Sequence, residues 1–514
     1  MTLVVSKDNK KYFFFLLTFF NILLSLYNKK YIMKVVSTYS VRLTTPNAPL
    51  KDTLHIYSNA VQYLVDVTDK EWNTFIKCTN AKDAVRVMET MVVKTSNNVA
   101  PKYDFSDKFY KFPSYLRRAA IAEAYGIVKS QRSNLANWEK LPTDKRGDKP
   151  KLPTEVHTFP CLYKNNCFVR TSDRTAKIKV FMRNTWDWLE VKLRKCDVDY
   201  ISRHCAQSKE CNPTLHLEGK VASLNFPFEK YVTLNDNDIE QTRIVSVDLG
   251  LINSCTCSVM EADGTVVGRK FLKLSSEYDS LDKALQRVKN AQRSGAKRKP
   301  RLNAKVRGIT KNISEKTALF IMEVAKLYDA NVVVMEHLDI NKKKKGSKKK
   351  GLHHWRARYV ETLVEHKCHS IGMRFARVCA SNTSRLAFDG SGCVLRGKNS
   401  SKTDGNYSLC EFSTGKVYNC DLNASYNIGA RYYIREILRS KSERTRLALE
   451  AKVPSLSHRS TCTMSDLYDL RAALGLACHP NSERIMSGKT MESDAPKGQP
   501  SNEMRCKALG SAPL

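Results

Sequence analysis

The chain has 514 residues, 42% hydrophobic and 27% charged, a globular composition long enough for more than one domain, which excludes a chain disordered as a whole. Its 86 Lys and Arg against 51 Asp and Glu leave a formal +35, an excess that favours polyphosphate binding through counterion release. Sixteen cysteines without one Cys-x-x-Cys point to free thiols or metal ligands rather than a disulfide framework.

Tyr12 to Tyr27 is an almost wholly apolar run flanked by lysines, too short for a comfortable membrane span and similar to a signal-peptide core. Met33 opens a stretch with strand character to Thr45, so residues 1–33 are expected to be an extension outside the fold. Residues 51–150 are expected to be mainly helical. Within them Tyr103, Phe105, Phe109, Tyr110, Phe112 and Tyr115 interleave with Lys102, Lys108, Lys111, Arg117 and Arg118. Most of these aromatics belong to an amphipathic core pattern. Arg117 and Arg118 are the better candidates for nucleic-acid contact, because charged groups are seldom buried unpaired. From 151 to 240 the pattern turns to alternating stretches such as 176–181 and 188–193, which predict an antiparallel sheet or small barrel, with 34–50 closing it from the other side of the helical insert.

Residues 254–261 and 265–272 predict strands joined at Asp263-Gly264, making a meander with the strand before them. Lys289, Arg293, Lys297, Arg298, Lys299 and Arg301 form an acid-free basic run, and seven lysines lie between 342 and 350. Lys297, Arg298, Lys299 and Arg301 are taken as nucleic-acid contacts, the alternative being a solvated linker. A helix is predicted from about Ser314 to Asp329, a strand over 373–378, and a short helix capped by Ser465 running to Leu474. The tail 479–514 is rich in Ser, Pro, Gly and charge.

Three acids stand out by their settings. Asp248 ends the β-branched run Ile244-Val245-Ser246-Val247, and Glu336 ends Val332-Val333-Val334-Met335, so both are expected at strand tips. Asp421 precedes a helical pattern that begins Leu422-Asn423-Ala424. Convergent carboxylates suit phosphodiester hydrolysis at two divalent ions, which need hard oxygen ligands and charge balance. Taken singly, each has a plainer reading: a turn former, a solvated strand end and a helix N-cap. Asp389 is a rival for the third position, but its Asp-Gly-Ser-Gly setting is a turn signature.

The words Val-Asp-Leu-Gly-Leu-Ile-Asn (247–253), Met-Glu-His-Leu (335–338) and Cys-Asp-Leu-Asn-Ala-Ser-Tyr-Asn-Ile-Gly (420–429) come in an order that resembles the RuvC nuclease domain of TnpB proteins and compact type V CRISPR effectors. The likeness covers roughly residues 34–475, and its specific part is these three words. It implies an RNA-guided DNA endonuclease of α/β multidomain, bilobed build, with Asp248, Glu336 and Asp421 as catalytic residues and ligands of two Mg²⁺ ions. It implies a β-barrel wedge domain (34–50 and 151–240), a helical recognition domain (51–150) and an RNase H-like RuvC domain (241–440) with a target-nucleic-acid-binding insert (385–420). A C-terminal helix and disordered tail (441–514) complete the layout. The implied partners are guide RNA and target DNA, with recognition of a short flanking motif, in a prokaryotic cytoplasm and without a membrane. Monomer and homodimer both stay open. Relatives of this kind place a four-cysteine zinc ribbon between the second and third words; here Cys393, Cys410 and Cys420 are possible zinc ligands and no fourth is evident, which favours a metal-free insert. Three alternatives remain: a catalytically weak or inactive RNA-guided DNA binder, an unguided, structure-selective nuclease, and a transposition accessory that only binds DNA.

Overall fold

The computed structural model describes residues 32–96, 98–250, 254–295, 298–338 and 356–476. The apolar run 12–27, Lys297, the lysine run 342–350 and the tail 479–514 lie outside the described residues. The chain divides into two compact units, Val36–Lys230 and a second formed chiefly from Tyr231 onward. No helix among the described residues is long and apolar enough to cross a membrane.

In the first unit, strand β1 (Ile32–Thr44) leads into helix α1 (Ala48–Lys70), which has a proline in its first turn and buries Leu50, Tyr57, Val61 and Leu64 at helical spacing. Helix α2 (Ala81–Val92) starts where the Asn80 side chain accepts from the amides of Lys82 and Asp83, satisfying two otherwise unpaired donors. Helix α3 (Ser114–Glu139) buries Leu116, Ala120, Ile121, Ala124 and Val128. The chain then builds β2 (Phe168–Ser172), β3 (Thr175–Met182), β4 (Thr185–Leu193), helix α4 (Lys195–Cys205), β5 (Lys209–Glu210), β6 (Thr214–Glu218) and β7 (Val221–Thr233).

These strands form one sheet in the order β2-β3-β4-β1-β7-β5, with β6 also paired to β7. β1 lies inside the sheet between β4 and β7, so the segment before the helical insert pairs with strands that follow it, and isolated bridges join Cys161 to Thr214 of β6 and Lys164 to Phe168 of β2. The helices and sheet share one apolar core; Thr53 of α1, for example, accepts a 2.8 Å hydrogen bond from the Phe181 amide of β3.

The second unit is built on the sheet β10-β9-β8-β11-β12. Strands β8 (Ile244–Asp248), β9 (Cys255–Met260) and β10 (Val266–Leu272) are an antiparallel meander, its second turn made at Asp263 and Gly264, the latter at φ +89°. Helices α5 (Ser275–Arg293) and α6 (Pro300–Leu327) follow. The latter begins well before the expected Ser314, because Pro300 suits a first helical position and Val306 and Ile313 extend the apolar stripe. Strand β11 (Val332–His337) then pairs parallel to β8, and after helix α7 (Ala357–Ser370) strand β12 (Arg374–Cys379) pairs parallel to β11. The segment 385–420 holds a small antiparallel sheet of β13 (Leu395–Arg396), β14 (Leu409–Glu411) and β15 (Val417–Asn419). Helices α8 (Cys420–Arg439), α9 (Glu443–Lys452) and α10 (Met464–Ala473) end the described chain. The expected cap at Ser465 is instead Thr463, which forms a reciprocal capping box with Asp466.

Alternation along the five strands decides what lies on each face. Val245, Val247, Cys257, Val259, Val333 and Met335 pack into one core with α5, α6 and α7. Ile244, Met260, Val332 and Val334 pack into a second core with α8 and α10. The unit is therefore a helix-sheet-helix sandwich. Each fully buried aliphatic or aromatic side chain contributes about 1.5–3 kcal/mol to it before entropy is counted.

Candidate active site

Register places two acids side by side. The parallel pairing of β8 and β11 runs from Ile244 opposite Val332 to Val247 opposite Met335, and Asp248 and Glu336 are each the next residue. Neighbouring strands lie about 4.8 Å apart, so these two acids leave adjacent strand ends close together. By alternation both belong to the face covered by α8, opposite the face of Val247 and Met335. The carboxyl ends of parallel strands are where open α/β sheets place ligands.

Asp421 joins them from α8. The N-cap of α8 is Asn419, whose side-chain oxygen accepts from the amides of Asp421 and Leu422 at 3.0 Å each, and Asp421 sits in the first turn, where the helix dipole favours a negative charge. That helix lies close on the sheet. A Cβ at Gly429 would fall 2.3 Å from Met260 Sδ and 3.3 Å from Ser246 Oγ, and Ser425 shares a hydrogen bond with Ser258.

The acids feel one another. Burial raises the Asp248 carboxyl well above the usual aspartate range, and the charges of Glu336 and Asp421 raise it further, opposed by Arg396. Burial also raises Glu336, opposed by the Thr383 hydroxyl that donates to its Oε1 and by Arg431. The loop carrying Thr383 is held from α8: Asn427 Nδ2 donates to the carbonyls of Thr383 and Leu386 at 2.9 Å each, while Asn423 donates to Leu386 and accepts from the Phe388 amide, both at 2.8 Å. Arg431 is 5% exposed and spends its guanidinium on the carbonyls of Cys379, Ser381, Ser460 and Cys462. Arg396 donates to the Ser384 carbonyl, and its Nε is buried without a partner.

Hard carboxylate oxygens of this kind fit a divalent cation such as Mg²⁺ by donor chemistry. Among the described residues no three His, Cys, Asp or Glu side chains are grouped closely enough to hold a single metal ion, so the acids line a common edge without forming a finished coordination sphere. Asp389 is a turn residue: its carboxylate accepts from the Ser391 amide at 3.0 Å. Of the three candidate zinc ligands, Cys410 and Cys420 are buried and interact thiol to thiol, whereas Cys393 is exposed.

The basic candidates fall in different settings. In the first unit, Arg118 pairs with Glu89 at 2.9 Å and stands over the Tyr115 ring, and Arg117 reaches the same carboxylate at 3.5 Å. Both are thus ion-paired, with Arg117 the more enclosed. In the second unit, Arg298 and Arg301 are exposed and Lys299 half-buried at the entry to α6. The residues that sequence reasoning missed are Thr383, Arg396, Asn423, Asn427 and Arg431. The asparagines at i and i+4 of a helix were the one visible signal.

A family model described as the Aq_aa04 family matches residues 37–182, within the first unit. No curated protein matches the chain. Among solved structures the chain is similar to the Cas12f1 protein of a complex with single-guide RNA and target DNA, at 12% identity and TM-score 0.43, covering 77% of this chain and 98% of that one. It is similar to CasPhi-2 (Cas12j) bound to crRNA, at 10% identity and TM-score 0.41, covering 77% and 97%. It is also similar to Alicyclobacillus acidoterrestris C2c1 in complex with single-guide RNA, at 10% identity and TM-score 0.34, covering 74% and 69%.

Proposed function

We propose that the chain is an RNA-guided DNA endonuclease with a single RuvC-type site at Asp248, Glu336 and Asp421. The observation that carries the nuclease reading is the adjacency of Asp248 and Glu336 at the ends of β8 and β11, facing the helix whose first turn contains Asp421. The strand order, an antiparallel meander continued by two parallel strands, is the one an RNase H-like fold requires. The guided reading rests on the resemblance of the three sequence words to TnpB and type V effectors and agrees with the charge of +35.

Asp248, Glu336 and Asp421 would hold two magnesium ions. Bound there, such ions activate water and steady the leaving oxygen of a phosphodiester. The chain's own contribution is positional. Thr383 fixes the orientation of the Glu336 carboxylate, Asn423 and Asn427 hold the Thr383 loop against α8, and Arg431 braces the exit of β12. Arg396 brings positive charge toward the acids, where an incoming phosphate would meet it.

The test is to co-express the protein with the DNA that surrounds its gene, sequence the RNA that copurifies, and assay that complex with Mg²⁺ on DNA matching the guide, beside Asp248→Ala. Guide-dependent cutting that the substitution abolishes is the expected result. Bound RNA with no cutting would replace the nuclease by a DNA-binding effector. Cutting without RNA would leave an unguided nuclease.

A further inference from the structure

The second unit also holds a partly enclosed cavity of about 510 Å³ between β12, the far half of α8 and the segment 441–462. That volume lies in the ordinary range for a small-molecule site. Its charge is one-sided: of the twelve residues lining it seven are Lys or Arg and none is acidic. Arg431, Arg435 and Arg439 follow one another at i, i+4 and i+8, so α8 offers a single arginine ridge to the cavity. Lys441, Arg446 and Arg459 face that ridge from the following segment.

Part of this charge is already offset. Arg377 pairs with Glu361 and Glu365, Arg435 with Glu436, and Arg431 with backbone carbonyls. Arg446 has only loose pairs, 3.8 Å each, to Glu443 and Glu450. Arg439, Lys441 and Arg459 form no ion pair with any described residue. Concentrating cations around one cavity is unfavourable unless an anion offsets them. Of these three, Arg439 stands on the last turn of α8, and its planar fork suits phosphate oxygens.

The floor is of another kind. Val378, Ile434 and Leu438 are buried apolar residues that line the same cavity. Cationic walls over an apolar floor match a ligand with one flat, weakly polar part and one anionic part. We infer that this cavity is a binding site for a nucleotide carrying a terminal phosphate, its base or sugar on the apolar floor and its phosphomonoester on Arg439, Lys441 and Arg459. Free nucleotide and the 5′-phosphorylated end of a strand share that chemistry. Neither requires cleavage at Asp248.

The test measures binding by fluorescence anisotropy, in chelator, of a labelled single strand bearing a 5′-phosphate and of the same strand with a 5′-hydroxyl. The whole chain, Asp248→Ala and a triple variant Arg439→Gln, Lys441→Gln, Arg459→Gln are compared. These three side chains are exposed, so the variant is expected to fold, and its melting temperature checks that. The 5′-phosphate is expected to tighten binding about tenfold in the whole chain and in Asp248→Ala, and to make no difference in the triple variant. Competition by adenosine monophosphate at equal occupancy of the strand's end would assign the cavity to free nucleotide; competition only by phosphorylated strands would assign it to a strand end. Equal binding of the two strands by the whole chain, with no competition by adenosine monophosphate, would overturn the inference, as would a phosphate preference that survives in the triple variant. Because every arm runs without cleavage, a failed nuclease assay leaves this result intact.

Discussion

Thr383 donates its hydroxyl to Glu336 across 47 residues of sequence, and it does so from a loop that two asparagines of α8 hold by its carbonyls. A carboxylate at a strand end has free rotamers. One fixed donor removes most of that freedom. Thr383→Val keeps the shape and removes the donor, and groups that orient metal ligands in this way typically support them by about ten- to a hundredfold in activity or metal affinity. Cleavage by Thr383→Val is therefore expected to fall by about that factor, with partial recovery at raised Mg²⁺. Initial rates across a Mg²⁺ titration check it, and an unchanged rate at low Mg²⁺ would remove Thr383 from the site.

The raised carboxyls of Asp248 and Glu336 make stability depend on pH in a direction opposite to that of an ordinary salt-bridged acid. Below the unfolded value both groups are protonated in both states and contribute nothing. As pH rises from there toward their folded values, the unfolded chain ionises first, and stability is lost. In chelator the protein is thus expected to melt lower at pH 7 than at pH 5 to the extent that these two groups dominate, and Asp248→Asn is expected to flatten that dependence and melt higher at pH 7. Melting curves of both proteins at the two pH values decide it. Mg²⁺ is expected to raise the melting temperature of the parent and not of the variant, since an ion that binds only the folded state stabilises it by mass action.

The two strand tips were legible because each acid ends an apolar, β-branched run, and a buried parallel strand leaves that mark on a sequence. That both acids face α8 was not legible, because the face follows from register, and register is set by the partner strand. Glu89 lies 29 residues from Arg118, so the ion pair that occupies Arg117 and Arg118 had no local signal. The place of β1 inside its sheet was hidden for the same reason: strand character along Ile32–Thr44 says nothing about neighbours. Asp421 was located correctly at the start of a helix, whose cap is Asn419 two residues earlier.

Gly429 stands in the middle of α8, where a glycine costs about 1 kcal/mol relative to alanine. The reason for keeping it is the sheet beneath. An added methyl would meet Met260 Sδ at 2.3 Å, and Met260 is fully buried. Gly429→Ala is expected to destabilise the second unit by about 1–3 kcal/mol despite the gain in helix propensity. It should also lower cleavage, because lifting α8 moves Asp421 away from Asp248. Chemical denaturation and rates measured together check this, and shortening the obstacle with Met260→Val in the same chain should restore both.

Arg298 and Arg301 are exposed at the entry to α6 and form no ion pair with any described residue, unlike Arg117 and Arg118, which share Glu89. Free exposed guanidiniums cost nothing to desolvate from a protein partner and are available to phosphates. Each phosphate they neutralise releases counterions, so it contributes about 0.7 to the salt slope on single strands and about 0.9 on duplex DNA. Arg298→Gln with Arg301→Gln is expected to weaken binding to unrelated sequences equally and to lower the slope of log affinity against log salt by up to twice those values. Arg117→Gln should change the slope less, and should instead loosen α3 from α2 slightly by leaving Arg118 as the one described ion-pair partner of Glu89. Binding isotherms at several salt concentrations, read beside the melting temperature of each variant, separate the two effects; equal slopes for all three proteins would show that the basic run at 298–301 is only a solvated turn.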